Sequence, residues 1–143
     1  MCIMDSSGTM ETTVTSQEMT HPLYDKWVLW AHLPHDTDWS LKSYKKIMTV
    51  TSIEEMVALY AVIPEKLVKN CMLFLMRDGI KPMWEDPKNS KGGCFSFKVT
   101  NKVVPQVWKK LSYITVGETL TNDTRLLKLI NGITISPKKS FCI

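Results

Sequence analysis

Two tryptophans stand where the chain is otherwise polar. Trp39 ends the turn-rich stretch Pro34-His35-Asp36-Thr37-Asp38-Trp39, and Trp84 opens the stretch running to Gly93. A Trp in a polar loop lacks the apolar neighbours that usually cover it, so it belongs to an interface, a crevice or a ligand. Trp84 is followed directly by Glu85. An indole face beside a carboxylate suits a guanine base. The carboxylate accepts from the two adjacent N–H donors on the guanine edge, and the ring stacks on the indole. A second Trp on another loop completes a sandwich. An N7-methylated base is cationic, and Trp is the best cation–π face. Lysines on a nearby turn would then meet phosphates.

Other chemistry is weaker. His21, His32 and His35 fall near the N-terminal end, but Pro34 between the last two forbids a helical ligand pair, so no metal is expected. The four cysteines (Cys2, Cys71, Cys94, Cys142) show no metal-ligand spacing and no C-x-x-C. Cys71 and Cys94 lie in apolar, strand-like runs, where burial is the expected fate. A reducing compartment follows. There is no G-x-S-x-G and no P-loop, and Gly92-Gly93 alone does not make a phosphate cradle.

Elements must position the two tryptophans. Residues 1–20 are rich in Ser, Thr and Met without a period and read as a disordered tail. Trp27–Leu33 reads as a strand and Tyr44–Thr51 as a second. Ser52-Ile53-Glu54-Glu55 is a capping box. Ile53, Met56, Val57 and Tyr60 then recur on one face of a helix that stops before Pro64. Lys69–Arg77 predicts a third strand, Asp78-Gly79 a turn, and Trp84–Gly93 a loop. Cys94–Thr100 alternates cleanly, with Phe95, Phe97 and Val99 on one side. Val104, Val107, Trp108 and Leu111 mark a second helix, with Pro105 in its first turn and Gly117 at its end. Asn131–Ile135 and Ser140–Ile143 close the set as strands. Trp27, Trp30 and Trp108 fall on the apolar faces and are expected in the core. Strands following strands through turns predict an α+β fold with an antiparallel sheet and helices on one face.

The chain has 143 residues, 44% of them hydrophobic, which suits one domain with a core that needs no disulfides. Residues 1–20 lack the apolar core of a signal peptide, and no apolar run reaches membrane-span length. The net charge of +4 is modest, suiting a few phosphates better than a long duplex. All the basic residues but Arg77 and Arg125 are Lys, so phosphate contacts would be point charges rather than guanidinium forks.

Together these residues resemble the eukaryotic translation initiation factor 4E family, the mRNA cap-binding proteins. The matching pieces are His21-Pro22-Leu23 with Trp27 and Trp30, Trp39, and Ile53-Glu54-Glu55 with Ala58-Leu59-Tyr60. They continue in Asp78–Asp86, Asn89 with Gly92-Gly93, and Trp108 with Gly117-Glu118. The resemblance runs from about residue 21 to the C-terminus. It implies a curved antiparallel sheet with helices on the convex face and a cap site in the concave face. Carried over by position, Trp39 and Trp84 sandwich the 7-methylguanine and Glu85 binds its edge. Cys94 stands where the family has an Arg for phosphate. Lys138, with its neighbour Lys139, stands at the later phosphate-binding position.

The resemblance also implies a partner surface for an amphipathic peptide of a 4G-type scaffold or a 4E-binding protein. His21, Pro22, Leu23, Ile53 and Gly117 are kept. Val57 replaces an exposed helix Trp, and Lys109 and Lys110 replace a Leu-Glu pair. Losing that Trp removes a hot spot, and Lys110 reverses a charge, so a different scaffold or weak binding of the usual one is expected.

The expected protein is therefore a non-enzymatic, cytoplasmic monomer without metal or cofactor, in which residues 21–143 form a cap-binding domain. It takes part in translation initiation through a scaffold factor. The alternatives are a cap-binding translational repressor or a shortened, non-productive isoform, and more remotely a nucleotide-processing enzyme. The family domain continues past Ile143, so a C-terminally shortened domain is expected, with an exposed sheet edge and weaker cap binding than a longer version.

Overall fold

The computed structural model describes residues 20–138 and 141–142. The expected tail lies outside the described residues, apart from Thr20, and so does Lys139.

Strand β1 (Pro22–His32) lies between β2 (Tyr44–Ser52) and β3 (Met72–Arg77), antiparallel to both. Strand β5 (Gly132–Ile135) adds to the far edge of β3, giving the order β2-β1-β3-β5. Two-residue strands β4 (Val99–Thr100) and β6 (Phe141–Cys142) form a separate ladder. The helices are α1 (Ile53–Val62), α2 (Glu65–Asn70), α3 (Pro87–Ser90), α4 (Val104–Val116) and α5 (Thr124–Leu127). The α+β expectation holds.

Alternation along the central strands sorts the side chains onto two faces. Trp27, Leu29 and Ala31 of β1 and Leu73 and Leu75 of β3 face the helices. There they pack with Met56 and Leu59 of α1, Val68 of α2, and Val104, Trp108 and Val116 of α4. Phe74 and Met76 of β3 form a smaller cluster on the opposite face with Ile80, Trp30 and Tyr44. Trp27 and Trp108 are thus core, as expected, and Trp30 is partly buried on the other side of the sheet.

Two glycines have stated geometric duties. Gly79 sits at φ +83° in the turn closed by the bond from Ile80 N to Arg77 O, which requires a residue free to adopt positive φ. Gly132 lets β5 approach β3, because a Cβ there would lie 2.3 Å from Leu75 O.

Several sequence expectations need correction. The third strand begins at Met72, and Lys69 and Asn70 end α2 instead. Pro64 starts that short helix, and the apolar run following it masked the boundary. Inside the expected loop at Trp84–Gly93, residues 87–90 form α3, whose N-terminus Asp86 caps by accepting from Lys88 N at 2.9 Å. The Cys94–Thr100 strand is reduced to Val99–Thr100, leaving Phe95 fully exposed, Phe97 mostly so and Cys94 exposed rather than buried. Alternation marks a face but supplies no partner, and a strand is held by its ladder. On α1, Met56 is buried and Tyr60 packs against the core, but Ile53 and Val57 are 50% and 53% exposed. Ser52 caps α1 by accepting from Glu55 N, while the Glu55 carboxylate reaches the N–H and hydroxyl of Thr51. Gly117 ends α4 at φ −78°, and Glu118 takes the positive φ.

Arg77 at the end of β3 gathers the distant pieces. Its guanidinium pairs with both carboxylate oxygens of Glu118, contacts Asp25 at 3.2 Å, and donates to Ile130 O at 2.7 Å and Leu127 O at 3.0 Å. It also lies 4.4 Å from the centre of the buried Trp27 ring, a cation–π contact. Both Arg77 and Glu118 are mostly buried. Arg77→Ala should therefore lower stability by about 2–4 kcal/mol, because it strands Glu118 and two carbonyls. Arg125→Ala, at an exposed pair with Asp123, should leave the urea midpoint unchanged.

Candidate nucleic-acid interface

The loop that carries Trp39 is fixed by its aspartates. Asp36 accepts from Asp38 N at 2.9 Å, and Asp38 accepts from the N–H and hydroxyl of Ser40 at 2.8 and 2.9 Å. These Asx turns hold an otherwise unpaired backbone. His35 takes φ 73° at the bend. A 3-10 turn at Leu41–Ser43 then leads into β2. Trp39 is 53% exposed, with one ring face lying on His32 and the rest toward solvent.

The loop that carries Trp84 and Glu85 is tied by two side chains. Asp86 accepts from Lys81 N at 2.9 Å as well as from Lys88 N. These bonds, with the nearby ammonium groups of Lys81 and Lys88, hold its carboxyl below the ordinary range. Asn89 donates to Lys81 O at 2.9 Å and Met83 O at 2.7 Å, and accepts from Asn131 Nδ2 at 3.0 Å. Asn131 also donates to Lys88 O at 2.9 Å, which anchors the loop to the approach to β5. Trp84 stays 66% exposed.

The two loops meet at one end of the sheet. A cleft of about 210 Å³ is lined by Leu41 from the first loop and by Lys81, Met83, Glu85 and Asp86 from the second. Burial raises the pKa of the Tyr44 phenol, and the Glu85 carboxylate adds to the rise. The Tyr44 ring meets His32 edge-on at 5.2 Å. Trp39, His32 and Tyr44 thus share one neighbourhood, on the sheet face away from α1 and α4.

The other predicted residues lie elsewhere. Lys138 is exposed between β5 and β6, with its carbonyl accepting from Asn101 at 3.5 Å. On the helix side, the His21 N–H and ring Nδ1 both meet the Glu54 carboxylate, at 3.0 and 2.6 Å. Ile53 N donates to His21 O at 2.9 Å. Leu23 packs against the core, and Pro22 is exposed at the start of β1. Val57 lies one turn beyond Ile53. Helix α4 docks on α1 through Tyr60 Oη donating to Ser112 and through the Tyr60–Tyr113 ring contact, and Lys109 Nζ lies 5.9 Å over Tyr113. Lys110 and Gly117 are exposed on α4 and at its end. So His21, Ile53 and Val57 form one exposed surface, with Lys109 on the adjoining helix.

Sequence reasoning missed three residues that build the site. His32 read as one of a rejected ligand pair, Tyr44 as the start of a strand, and Asn131 as the edge of another. The only sequence signal was alternation, which puts His32 on the same face as Trp30.

Among the described residues no group of His, Cys, Asp and Glu could hold a metal ion, and no helix is long and apolar enough to cross a membrane.

Residues 22–143 match the family model described as eukaryotic initiation factor 4E, and the chain belongs to that family. A translation initiation factor 4E from Eremothecium gossypii is 33% identical over 130 residues, which cover 86% of this chain and 60% of that relative. Less than two thirds of that relative's length is thus spanned. Among solved structures, Ascaris suum eIF4E-3 with an m2,2,7G cap matches at a TM-score of 0.76 and 25% identity, covering 87% of this chain and 71% of that one. Caenorhabditis elegans eIF4E-3, solved with the 4E-binding protein Mextli and a cap analogue, also matches at 0.76 and 25%, covering 86% and 71%. The curved sheet backed by helices is the fold of these neighbours, and this chain shares it.

Asn89→Ala should release the Lys81 and Met83 carbonyls together. Amide hydrogen exchange across residues 81–90 should rise, while α1 and α4 stay protected. The second expectation concerns acid. The His21 ring and then the His21 N–H hold the Glu54 carboxyl down to about 2, against an ordinary value of 4.5. A depressed carboxyl contributes its stabilisation above the ordinary value and loses it as pH falls through the folded one. The clip between His21 and α1 should therefore persist at pH 5 and open as pH falls from about 4.5 toward about 2. The His21 and Ile53 amide shifts should follow that titration in the wild type and not in Glu54→Gln.

Proposed function

We propose that this chain binds the 7-methylguanosine cap of mRNA between Trp39 and Trp84. The carrying observation is that the Trp39 and Trp84 loops meet at one cleft, which Leu41 and Glu85 line and the two indoles do not. Two separately braced loops present an exposed Trp each, and Glu85 lines the cleft where the loops meet. A cationic base stacks on the outward indole faces, and the Glu85 carboxylate accepts from its N1 and N2 hydrogens. Lys138 meets the phosphates as a point charge, which fits the scarcity of Arg. Lys139 shares that proposed role by sequence. The caps in the two nematode complexes support this reading.

The proposed role is binding rather than catalysis. A monomeric domain at 21–143 acts in the cytoplasm, where capped mRNA is translated, and links the cap to an initiation scaffold. Mextli in the Caenorhabditis complex supports a partner of the 4E-binding class. The exposed positions of Ile53 and Val57 favour their use as that partner's surface over a role in the core. Lys109 and Lys110 on the adjoining helix make the surface more basic, so the partner set departs from the usual one.

Retention on immobilised 7-methyl-GTP, with elution by free cap analogue but not by GTP, is the expected result. Passage through the column would overturn the proposal. Trp39→Ala and Trp84→Ala should each lose about 1–3 kcal/mol of binding in a fluorescence titration. Glu85→Ala should lose about 1.5–3 kcal/mol for each charge-assisted bond removed.

A further inference from the structure

The residue behind Trp39 deepens this reading and rests on it. His32 is the last residue of β1 and is only 2% exposed. It is in register with Tyr44 on one side and Met72 on the other, so its backbone belongs to the fixed part of the sheet. Its imidazole lies flat on the Trp39 indole, with centroids 4.0 Å apart and planes 4° apart. Its Nε2 is 2.9 Å from Asp38 O. A carbonyl only accepts, so Nε2 carries the proton. Tyr44 closes on the imidazole edge-on and in turn meets Phe74 edge-on at 5.4 Å. An aromatic row thus runs from the sheet, through His32, to the exposed indole.

We propose that His32 is a positioning residue for base binding, holding the Trp39 indole in the plane that a stacked base requires. Trp39 stands on a polar loop more than half exposed. Without a floor, its two side-chain torsions are free, and a ligand must order the ring as it binds. The Asx turns fix the loop backbone, but they do not fix the indole. The parallel imidazole does, because a flat ring at stacking distance admits one orientation of its neighbour. The same contact covers one indole face, leaving the other for the base.

Calorimetry with 7-methyl-GTP on wild type, His32→Phe, His32→Leu and His32→Ala tests this. Phe keeps a flat ring, Leu fills the space without one, and Ala leaves a hollow. His32→Phe should bind within about twofold of wild type, and His32→Leu and His32→Ala about three- to tenfold more weakly. The Trp39 contribution to the near-ultraviolet circular dichroism, taken as the difference from Trp39→Ala in the free protein, should survive in His32→Phe and vanish in His32→Leu. A purely packing role would need only a filled site, with Leu equal to Phe in both measurements, and would overturn the proposal. Wild-type affinity in both His32→Leu and His32→Ala would overturn it as well, while leaving cap binding intact. If wild type itself fails to bind 7-methyl-GTP, the cap reading fails and this proposal falls with it. The Leu and Phe variants both fill the site, so a fold lost in His32→Ala does not blunt the comparison.

Discussion

From Trp27 to His32, strand β1 is hydrogen-bonded along both edges, to β2 and to β3, so its register is fixed twice. That constraint decides which side chain faces which way. Trp27, Leu29 and Ala31 go under the helices, and Trp30 goes to the other face. A slip of one residue would exchange the two sets, burying Trp30 under α4 and removing Trp27 from the core. Register shifts at Pro22/Trp27 and Leu29/Trp30 absorb the mismatch with β2 without disturbing the ladder to β3. Irregularities of this kind bend the strand locally, and here they fall on the edge that leads to the Trp39 loop.

Arg77 extends that order past the end of the sheet. It turns the end of β3 into a junction with the ends of α4 and α5 and the approach to β5. Asn131 lies on that approach. Its carbonyl accepts from Arg77 N at 2.9 Å, and its side chain holds Asn89. The Trp84 loop is thus braced from within by Asp86 and Asn89, and from outside by a segment that Arg77 fixes. The Trp39 loop is braced by its own aspartates and by His32. Neither loop owes its shape to burying the tryptophan it carries. Both indoles can therefore stay exposed while the loops around them are ordered, as a preformed ligand site requires.

Much of this could be read from residue types. Trp39 and Trp84 stood out because a large apolar ring among turn residues breaks the local rule, and such breaks mark functional positions. The strand and helix periods of β1, α1 and α4 were long enough to identify. Short elements were not: α2 and α3 rest on a proline start or an aspartate cap, and neither has a period. The Phe95-Phe97-Val99 alternation showed which residues would share a face, but pairing is non-local and no residue nearby encodes it. Arg77 and Glu118 are 41 positions apart. Their pairing depends on where α4 ends, so no spacing rule reveals it. His32 was invisible for the same reason, since its partner Trp39 reaches it only after the loop turns back.

The two proposed surfaces lie on opposite faces of one sheet. Trp39 adjoins the smaller cluster around Phe74 through His32 and Tyr44, and the His21, Ile53 and Val57 surface adjoins the helix-side core. A base on one side and a peptide on the other would therefore not compete for space. The faces still share β1, which begins at the His21–Glu54 clip and ends at His32. From Trp27 to His32 that strand is mostly buried and paired on both edges, so this half has one packed arrangement rather than two. Coupling between sites needs an element that both ligands can shift between states. A doubly paired central strand is a poor candidate for such an element. The fold thus favours independent occupation of the two surfaces, with the Trp27–His32 half of β1 as a rigid spacer between them.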